Sequence, residues 1–232
     1  MTDLRNNDRV KEILKDCNIA LIGFANLTEM KPDARFGFPY GVSIAIALQP
    51  DIVALIPDGP TMEYYNEYKN VSARLREASA FLADQIKERG FGAMSLSVQN
   101  QSDDFRTPFP LKTLATRSGL GWIGKAATLV TRQFGSAVRL GGVLTDMPFL
   151  TGTPINESLC GDCAECVTHC PGKAVSGKTW TLRTDRDELL NAAGCKRTVI
   201  QRGKPFGITD GSCGVCLAVC PYTKKYTERI RP

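Results

Sequence analysis

The chain has one histidine and two tryptophans among 232 residues, and none of its apolar runs approaches the 18 or so residues that a membrane span requires. The longest, Val42–Leu48 and Ile52–Pro57, break off within a few positions, which excludes a transmembrane helix. The N-terminus, Met1-Thr-Asp-Leu-Arg-Asn-Asn-Asp-Arg9, lacks the apolar core of a signal peptide, so a cytoplasmic location is expected. There is no low-complexity tract, and the only repetition is a pair of Cys-Pro motifs. With 43% apolar and 23% charged residues, the composition is that of a globular chain and excludes a disordered, collagen-like or coiled-coil protein.

Cysteine is what the chain does have. Eight of the nine lie at 160, 163, 166, 170, 195, 213, 216 and 220, with Cys17 alone near the start. In a reducing compartment such a set points to metal or redox chemistry rather than to a disulfide framework. Cys160-Gly-Asp-Cys163-Ala-Glu-Cys166-Val-Thr-His-Cys170-Pro171 is the run C-x2-C-x2-C-x3-C-P. Three closely spaced thiolates wrap one iron-sulfur cubane, and the fourth is carried by the following turn to another. Cys213-Gly-Val-Cys216-Leu-Ala-Val-Cys220-Pro221 holds the last three cysteines of the same pattern; Asp210 stands where its first would be, and Cys195 can fill that vacancy. The assignment is therefore Cys160, Cys163, Cys166 and Cys220 for one [4Fe-4S] cluster, and Cys170, Cys195, Cys213 and Cys216 for the other. Paired C-x2-C elements also make four-cysteine zinc sites, but zinc has no use for a third cysteine at the next x2 spacing or for the terminal Cys-Pro. Two clusters sharing crossed ligands lie close together, which suits an electron relay better than a structural staple. Their charge would bring the formal net +5 to roughly +1, so the basic pI is weak support for a nucleic-acid partner. His169, inside the first run, is redundant as a ligand, and Cys17 reads as a buried small hydrophobe.

Periodicity predicts a helix over residues 3–17, a strand over 19–24, a second over Val42–Leu48, a turn at Pro57–Pro60, and one long helix over Thr61–Arg89 ended by Gly90. Further strands are expected at Met94–Val98, Ala127–Thr131 and Ala137–Thr145, the last two joined by a hairpin through Arg132-Gln-Phe-Gly135. The chain thus reads as α+β. A shift to Gly, Thr and Pro near Pro148–Pro154 places a boundary between an α/β part, 1–154, and a cysteine-rich part, 155–232.

Gly119-Leu-Gly121-Trp-Ile-Gly124-Lys125 matches G-x-G-x-x-G, but the preceding Lys112–Ser118 is polar and helical in pattern rather than a buried strand, so a dinucleotide fingerprint is rejected. A tight loop approaching a ligand or another backbone is the remaining reading, beside a plain helix-to-strand connection.

The order Ala115-Thr-Arg-Ser-Gly-Leu-Gly-Trp-Ile-Gly-Lys125, Gly141-Gly-Val-Leu-Thr-Asp146, the Cys160 run, a lone Cys195 and the Cys213 run resembles the epoxyqueuosine reductases, cobalamin-dependent iron-sulfur enzymes related to reductive dehalogenases. The resemblance covers roughly residues 60–224. It implies a nitroreductase-like, cobalamin-binding α/β domain followed by a two-cluster bacterial ferredoxin-like domain. It also implies base-off cobalamin held by Gly119, Gly121, Trp122, Gly124, Lys125 and Gly141, and a reduced ferredoxin or flavodoxin as electron donor. The sole histidine lies among the cluster ligands and no Asp-x-His-x-x-Gly motif is present, which agrees with a corrinoid bound without a protein histidine. Two departures stand out. The queuosine enzymes carry a C-terminal helical-repeat domain that grips tRNA, whereas this sequence ends shortly after Cys220, so tRNA is a doubtful substrate and a small molecule is expected. Their acidic proton donor aligns with Phe105, with Asp104 one residue off register, so no catalytic residue is assigned. A carrier of electrons with no corrinoid, and an FMN-dependent reductase, are the alternatives.

Overall fold

The computed structural model describes residues 2–56, 59–96 and 102–229. In chain order the elements are α1 (Thr2–Ile13), β1 (Leu21–Asn26), β2 (Tyr40–Ala47), α2 (Pro50–Ala54), α3 (Met62–Lys87), β3 (Ala93–Ser95), α4 (Leu111–Arg117), β4 (Trp122–Ile123), β5 (Leu129–Val130) and β6 (Val138–Thr145), then α5 (Glu165–Thr168), α6 (Arg186–Leu189), α7 (Ala192–Gly203), α8 (Val215–Ala218) and α9 (Pro221–Glu228). The mixed α+β content expected from the sequence is what the chain has. No helix among the described residues is long and apolar enough to cross a membrane.

The chain folds into two compact units, one of Met1–Ile46, Ser72–Leu120 and Arg139–Ile155, the other of Ala47–Val71, Gly121–Val138 and Asn156–Pro232. One passage between them falls at Ile155, beside the composition shift; residues 47–71 and 121–138 group with the cysteine-rich stretch.

In the first unit the sheet order is β1-β2-β6-β3. β1 runs antiparallel to β2 with Leu21 opposite Ala45, and β3 antiparallel to β6 with Ala93 opposite Thr145. β2 is buried along nearly all its length, as its β-branched Val42, Ile44 and Ile46 suit. α4 packs close over this sheet because β2 and β6 offer glycine there: a Cβ at Gly41 or Gly142 would meet the Leu114 side chain at 2.5 Å. Leu114 joins Ala25, Leu27, Leu96, Phe109 and Leu144 in the core. α3 buries Leu75, Ala78, Leu82 and Ile86 at helical spacing, and Gly90, at φ +83, follows it as expected.

Two expectations need correction. Ala127–Thr131 and Ala137–Thr145 do not form a hairpin. The turn exists, with Thr131 bridged to Gly135, but β5 pairs with β4, Trp122 opposite Val130, while β6 enters the four-stranded sheet. Ala127 adopts φ +55 and turns the chain before β5 begins. Cys17 is half-buried at the end of a short 3-10 turn, not sequestered. Part of the Pro57–Pro60 turn and the end of the strand read over Met94–Val98 lie outside the described residues.

In the second unit the helices are short, and α6 and α7 carry side-chain caps. Asp185 and Glu188 form a capping box on α6, and Asn191 accepts from Gly194 N–H at the start of α7. α5 and α8, one turn each, lie within the two cysteine runs and pack on each other.

Candidate metal centre

Each cysteine run is a tight turn leading into one turn of helix. In the first, Ser158 Oγ accepts from Cys160 N–H at 3.3 Å and the Cys160 carbonyl accepts from Cys163 N–H at 3.2 Å. The chain reverses at Gly161, whose φ of +52 is left-handed, and α5 then presents Cys166. Cys220 occupies the N-cap of α9, with Pro221 at the first helical position, where its missing N–H costs nothing. Cys160, Cys163, Cys166 and Cys220 together line one small pocket, partly open to solvent, which Gly124, Lys125 and Cys216 also border. The indole Nε1 of Trp122 donates to Cys160 Sγ at 3.3 Å. Its ring is fully buried and meets Tyr222 edge-on, centroids 5.1 Å apart.

The other four thiols converge from three segments. Cys170 follows α5, and its sulfur accepts from Ala174 N–H at 3.2 Å. Cys195 sits in α7, Cys216 in α8, and Cys213 packs with Val199, Val215 and Val219. Burial pushes the Cys166 thiol up to about 11, aided by the neighbouring Cys160, Cys163 and Cys220. Burial likewise pushes Cys195 up to about 11, with Cys213 and Cys170 as its charged neighbours. Cys216 is raised most, by burial first and then by Cys213, Cys195, Cys166 and Cys170; Cys213 and Cys220 are also raised by burial. The neighbours thus divide into 160/163/166/220 and 170/195/213/216, with Cys166 and Cys216 adjacent across the divide.

These residues fit a pair of iron-sulfur cubanes. Soft thiolates in the C-x2-C-x2-C-x3-C-P order surround a void, and thiols this hard to ionise gain from a metal that replaces their protons. Among the described residues no three His, Cys, Asp or Glu side chains meet closely enough to share one metal ion; a cubane asks for thiols spaced about its faces rather than donors meeting at a point.

The glycine loop serves this centre as well as its own packing. Gly124 and Lys125 border the void, whereas a Cβ at Gly121 would run into the Val130 carbonyl, and one at Gly119 would meet the Thr153 carbonyl at 2.7 Å. Gly141 lies elsewhere, in the sheet unit, where a Cβ would meet Ser79 Oγ at 2.7 Å. In the same unit Arg139 donates to Ser72 Oγ, Asp146 accepts from Gly92 N–H, and Arg117 donates to the Ile155 carbonyl. His169 is exposed and turned to the Glu165 carbonyl, 2.9 Å away. Phe105, at φ +64, and Asp104 stand on an exposed turn; hydrogen bonding from Ser102 holds the Asp104 carboxyl below its ordinary range, the opposite of what a proton donor needs. Three contacts of this part of the chain were not legible in the sequence. Asp210, in place of the absent cysteine, accepts from Tyr65 OH at 2.8 Å and pairs with Lys69 at 3.1 Å. The Trp122 bond to Cys160 links positions far apart in sequence, and Tyr222 was visible only as the residue after Cys-Pro.

Residues 159–223 match the family described as a 4Fe-4S double cluster binding domain, which defines the cysteine-rich part as an iron-sulfur module of the double-cluster kind. An epoxyqueuosine reductase of Bacillus anthracis is 41% identical over 152 residues, 65% of this chain and 37% of that protein. Among solved structures, an epoxyqueuosine reductase with a tRNA stem loop superposes with a TM-score of 0.62 at 21% identity, covering 95% of this chain and 66% of that one. The catabolic reductive dehalogenase NpRdhA gives 0.71 at 17%, covering 97% and 33%. The chain is related to the epoxyqueuosine reductases and shares the fold of the reductive dehalogenases, while spanning little more than a third of the length of its curated relative.

Proposed function

We propose that the protein is an iron-sulfur reductase of the cytoplasm. Cys160, Cys163, Cys166 and Cys220 hold one [4Fe-4S] cluster and Cys170, Cys195, Cys213 and Cys216 the other; when bound, such clusters accept and release single electrons. The observation that supports the reading is the pocket that Cys160, Cys163, Cys166 and Cys220 line together, with Cys216 at its border. The chain's own part is to keep the thiols apart from water through Val199, Val215 and Val219, to aim an indole N–H at one sulfur, and to bring Cys166 beside Cys216. Nine cysteines with no disulfide among them suit a reducing compartment.

Residues 1–154 are proposed as the part that receives the electrons through a second cofactor, and 155–232 as the part that delivers them. Base-off cobalamin is the cofactor the relatives suggest, but the loop glycines are accounted for by packing against this chain's own atoms. The corrinoid thus rests on the likeness, and no step is derived through it. A small substrate losing an oxygen or a halogen is the reaction favoured. The epoxyqueuosine-bearing tRNA stem loop that one solved relative holds belongs in the same substrate screen. The runner-up is a cluster protein that hands electrons to a partner enzyme and binds no corrinoid.

Anaerobic purification with iron and cobalt analysis, and visible spectra before and after adding cobalamin, tests the proposal. About eight irons with uptake of a corrinoid supports the reductase. The same iron with no corrinoid uptake moves the reading to the carrier or to a flavin enzyme, and absence of iron overturns it.

A further inference from the structure

The first thiol group is bordered by the Gly124–Lys125 loop, and its own cysteine run carries Asp162 and Glu165, the latter paired with Lys224 at 3.5 Å. The second owes Cys195 to α7, and from Glu188 to Asp210 the sequence has no acidic residue between, only Lys196, Arg197, Arg202 and Lys204. α7 buries Gly194, Val199 and Gly203 and turns Ala193, Arg197, Ile200, Gln201 and Lys204 outward, a single stripe at three- and four-residue spacing. Two apolar side chains stand in it or just past it: Ile200 is 43% exposed and Phe206 is 51% exposed. Lys196 is not free to join, being turned to the Thr209 carbonyl at 3.4 Å.

Apolar anchors ringed by one sign of charge are the makings of a brief, steered protein encounter. From this stripe we infer that the outer face of α7 and the turn after it docks an acidic one-electron carrier protein, which feeds the cluster held by Cys170, Cys195, Cys213 and Cys216. The inference rests on the reading of those thiols as cluster ligands. Charge complementarity names the occupant: a small redox protein with carboxylates around its own centre meets Arg197 and Lys204, and its apolar rim meets Ile200 and Phe206. Cys195 lies two residues from Arg197 on the opposite side of the same helix, so a carrier seated on the outer face is separated from the accepting sulfur by one helix width, ~10 Å. The transfer balances as one electron lost by the carrier and one gained by the cluster, from its 2+ to its 1+ state, with no proton or bond exchanged. With both clusters bound, Cys170, Cys195, Cys213 and Cys216 would hold the one that accepts the electron, and Cys160, Cys163, Cys166 and Cys220 the one beside the glycine loop.

The test is stopped-flow mixing of the holoprotein with a dithionite-reduced acidic [2Fe-2S] ferredoxin, following the visible spectrum from about 10 mM to 500 mM salt, a range over which screening removes steering. Arg197→Glu with Lys204→Glu should slow the second-order rate by about tenfold at low salt, within the span that steering supplies. The difference should close at high salt, with iron content unchanged. The control pair Lys11→Glu with Lys31→Glu, exposed charges of the other unit, should leave the rate as it was. An unaltered rate in the α7 pair, or equal slowing in the control, overturns the docking face while leaving the clusters standing. Lack of iron in the wild-type protein fails the cluster reading and the docking with it. Loss of tRNA binding in a gel-shift assay, with the ferredoxin rate unchanged, would give the stripe to nucleic acid and overturn the inference as well.

Discussion

Replacing Trp122 by Phe removes one hydrogen bond and leaves a small gap in a fully buried site. An aromatic ring remains beside Tyr222, but the donor 3.3 Å from Cys160 Sγ is gone. A hydrogen bond to a charged acceptor contributes about 1.5–3 kcal/mol. Reduction adds one electron's charge to the cluster, spread over all its sulfurs, so the bond to a single ligand strengthens by about a third of that, or ~0.5–1 kcal/mol. At about 59 mV for each tenfold, or 1.4 kcal/mol, in a one-electron couple, the first cluster's potential should fall by ~20–40 mV. Electron paramagnetic resonance during a redox titration of the anaerobic holoprotein reads this directly, and the second cluster, which lacks this donor, serves as the internal reference. A potential that rises, stays fixed, or moves together with the second cluster's refutes the reasoning, because only a local donor to Cys160 separates the two.

Other consequences can be measured on the same preparation. Cys195→Ser should halve the iron content and spare the first cluster, whereas Cys220→Ser should halve it and spare the second; full iron in either variant removes that residue from the ligand set. Gly121→Ala forces a Cβ onto the Val130 carbonyl and should destabilise the protein by about 1–3 kcal/mol, read as a lower melting temperature; an unchanged one would mean that β4 and β5 separate freely. In the apo-protein, folding keeps Cys166 and Cys195 protonated to about 11, against an ordinary value of 9.0. Unfolding then releases protons above pH 9, and the apo fold should lose stability as pH rises from about 9 to 11. The holoprotein, whose thiolates are already ionised, should show no such decline, and thermal melts of both forms decide the point.

Short-range features were legible and long-range ones were not. α3 with Gly90 after it, and the helix before the glycine loop, rest on residues within a few positions of one another. The hairpin at 132–135 failed because periodicity says which residues face inward but not which strand is the neighbour. β5 turns back to Trp122, and β6 finds its partners in β2 and β3. The glycine loop was noticed for its composition, yet its reasons are carbonyl oxygens at 130 and 153 that no local pattern displays. Trp122 reaches Cys160 across 38 positions, and nothing in a G-x-G-x-x-G string announces that. Asp210 was seen as a missing cysteine, while its bonds to Tyr65 and Lys69 depend on α3 passing beside it.

The crossed arrangement of thiols also sets a timetable for biosynthesis. Cys160, Cys163 and Cys166 leave the ribosome together, but their fourth partner is Cys220, and the segments 47–71 and 121–138 that complete the same unit are made long before. Tyr226 OH, donating to the Leu48 carbonyl at 2.9 Å, and Thr223 Oγ, accepting from Ser136 N–H at 2.9 Å, tie the last helix to those early segments. With the proposed ligand sets, neither is complete until Cys216 and Cys220 have been made. Iron loading must therefore wait for the second cysteine run, and nascent chains must keep the earlier thiols safe from oxidation until α9 docks.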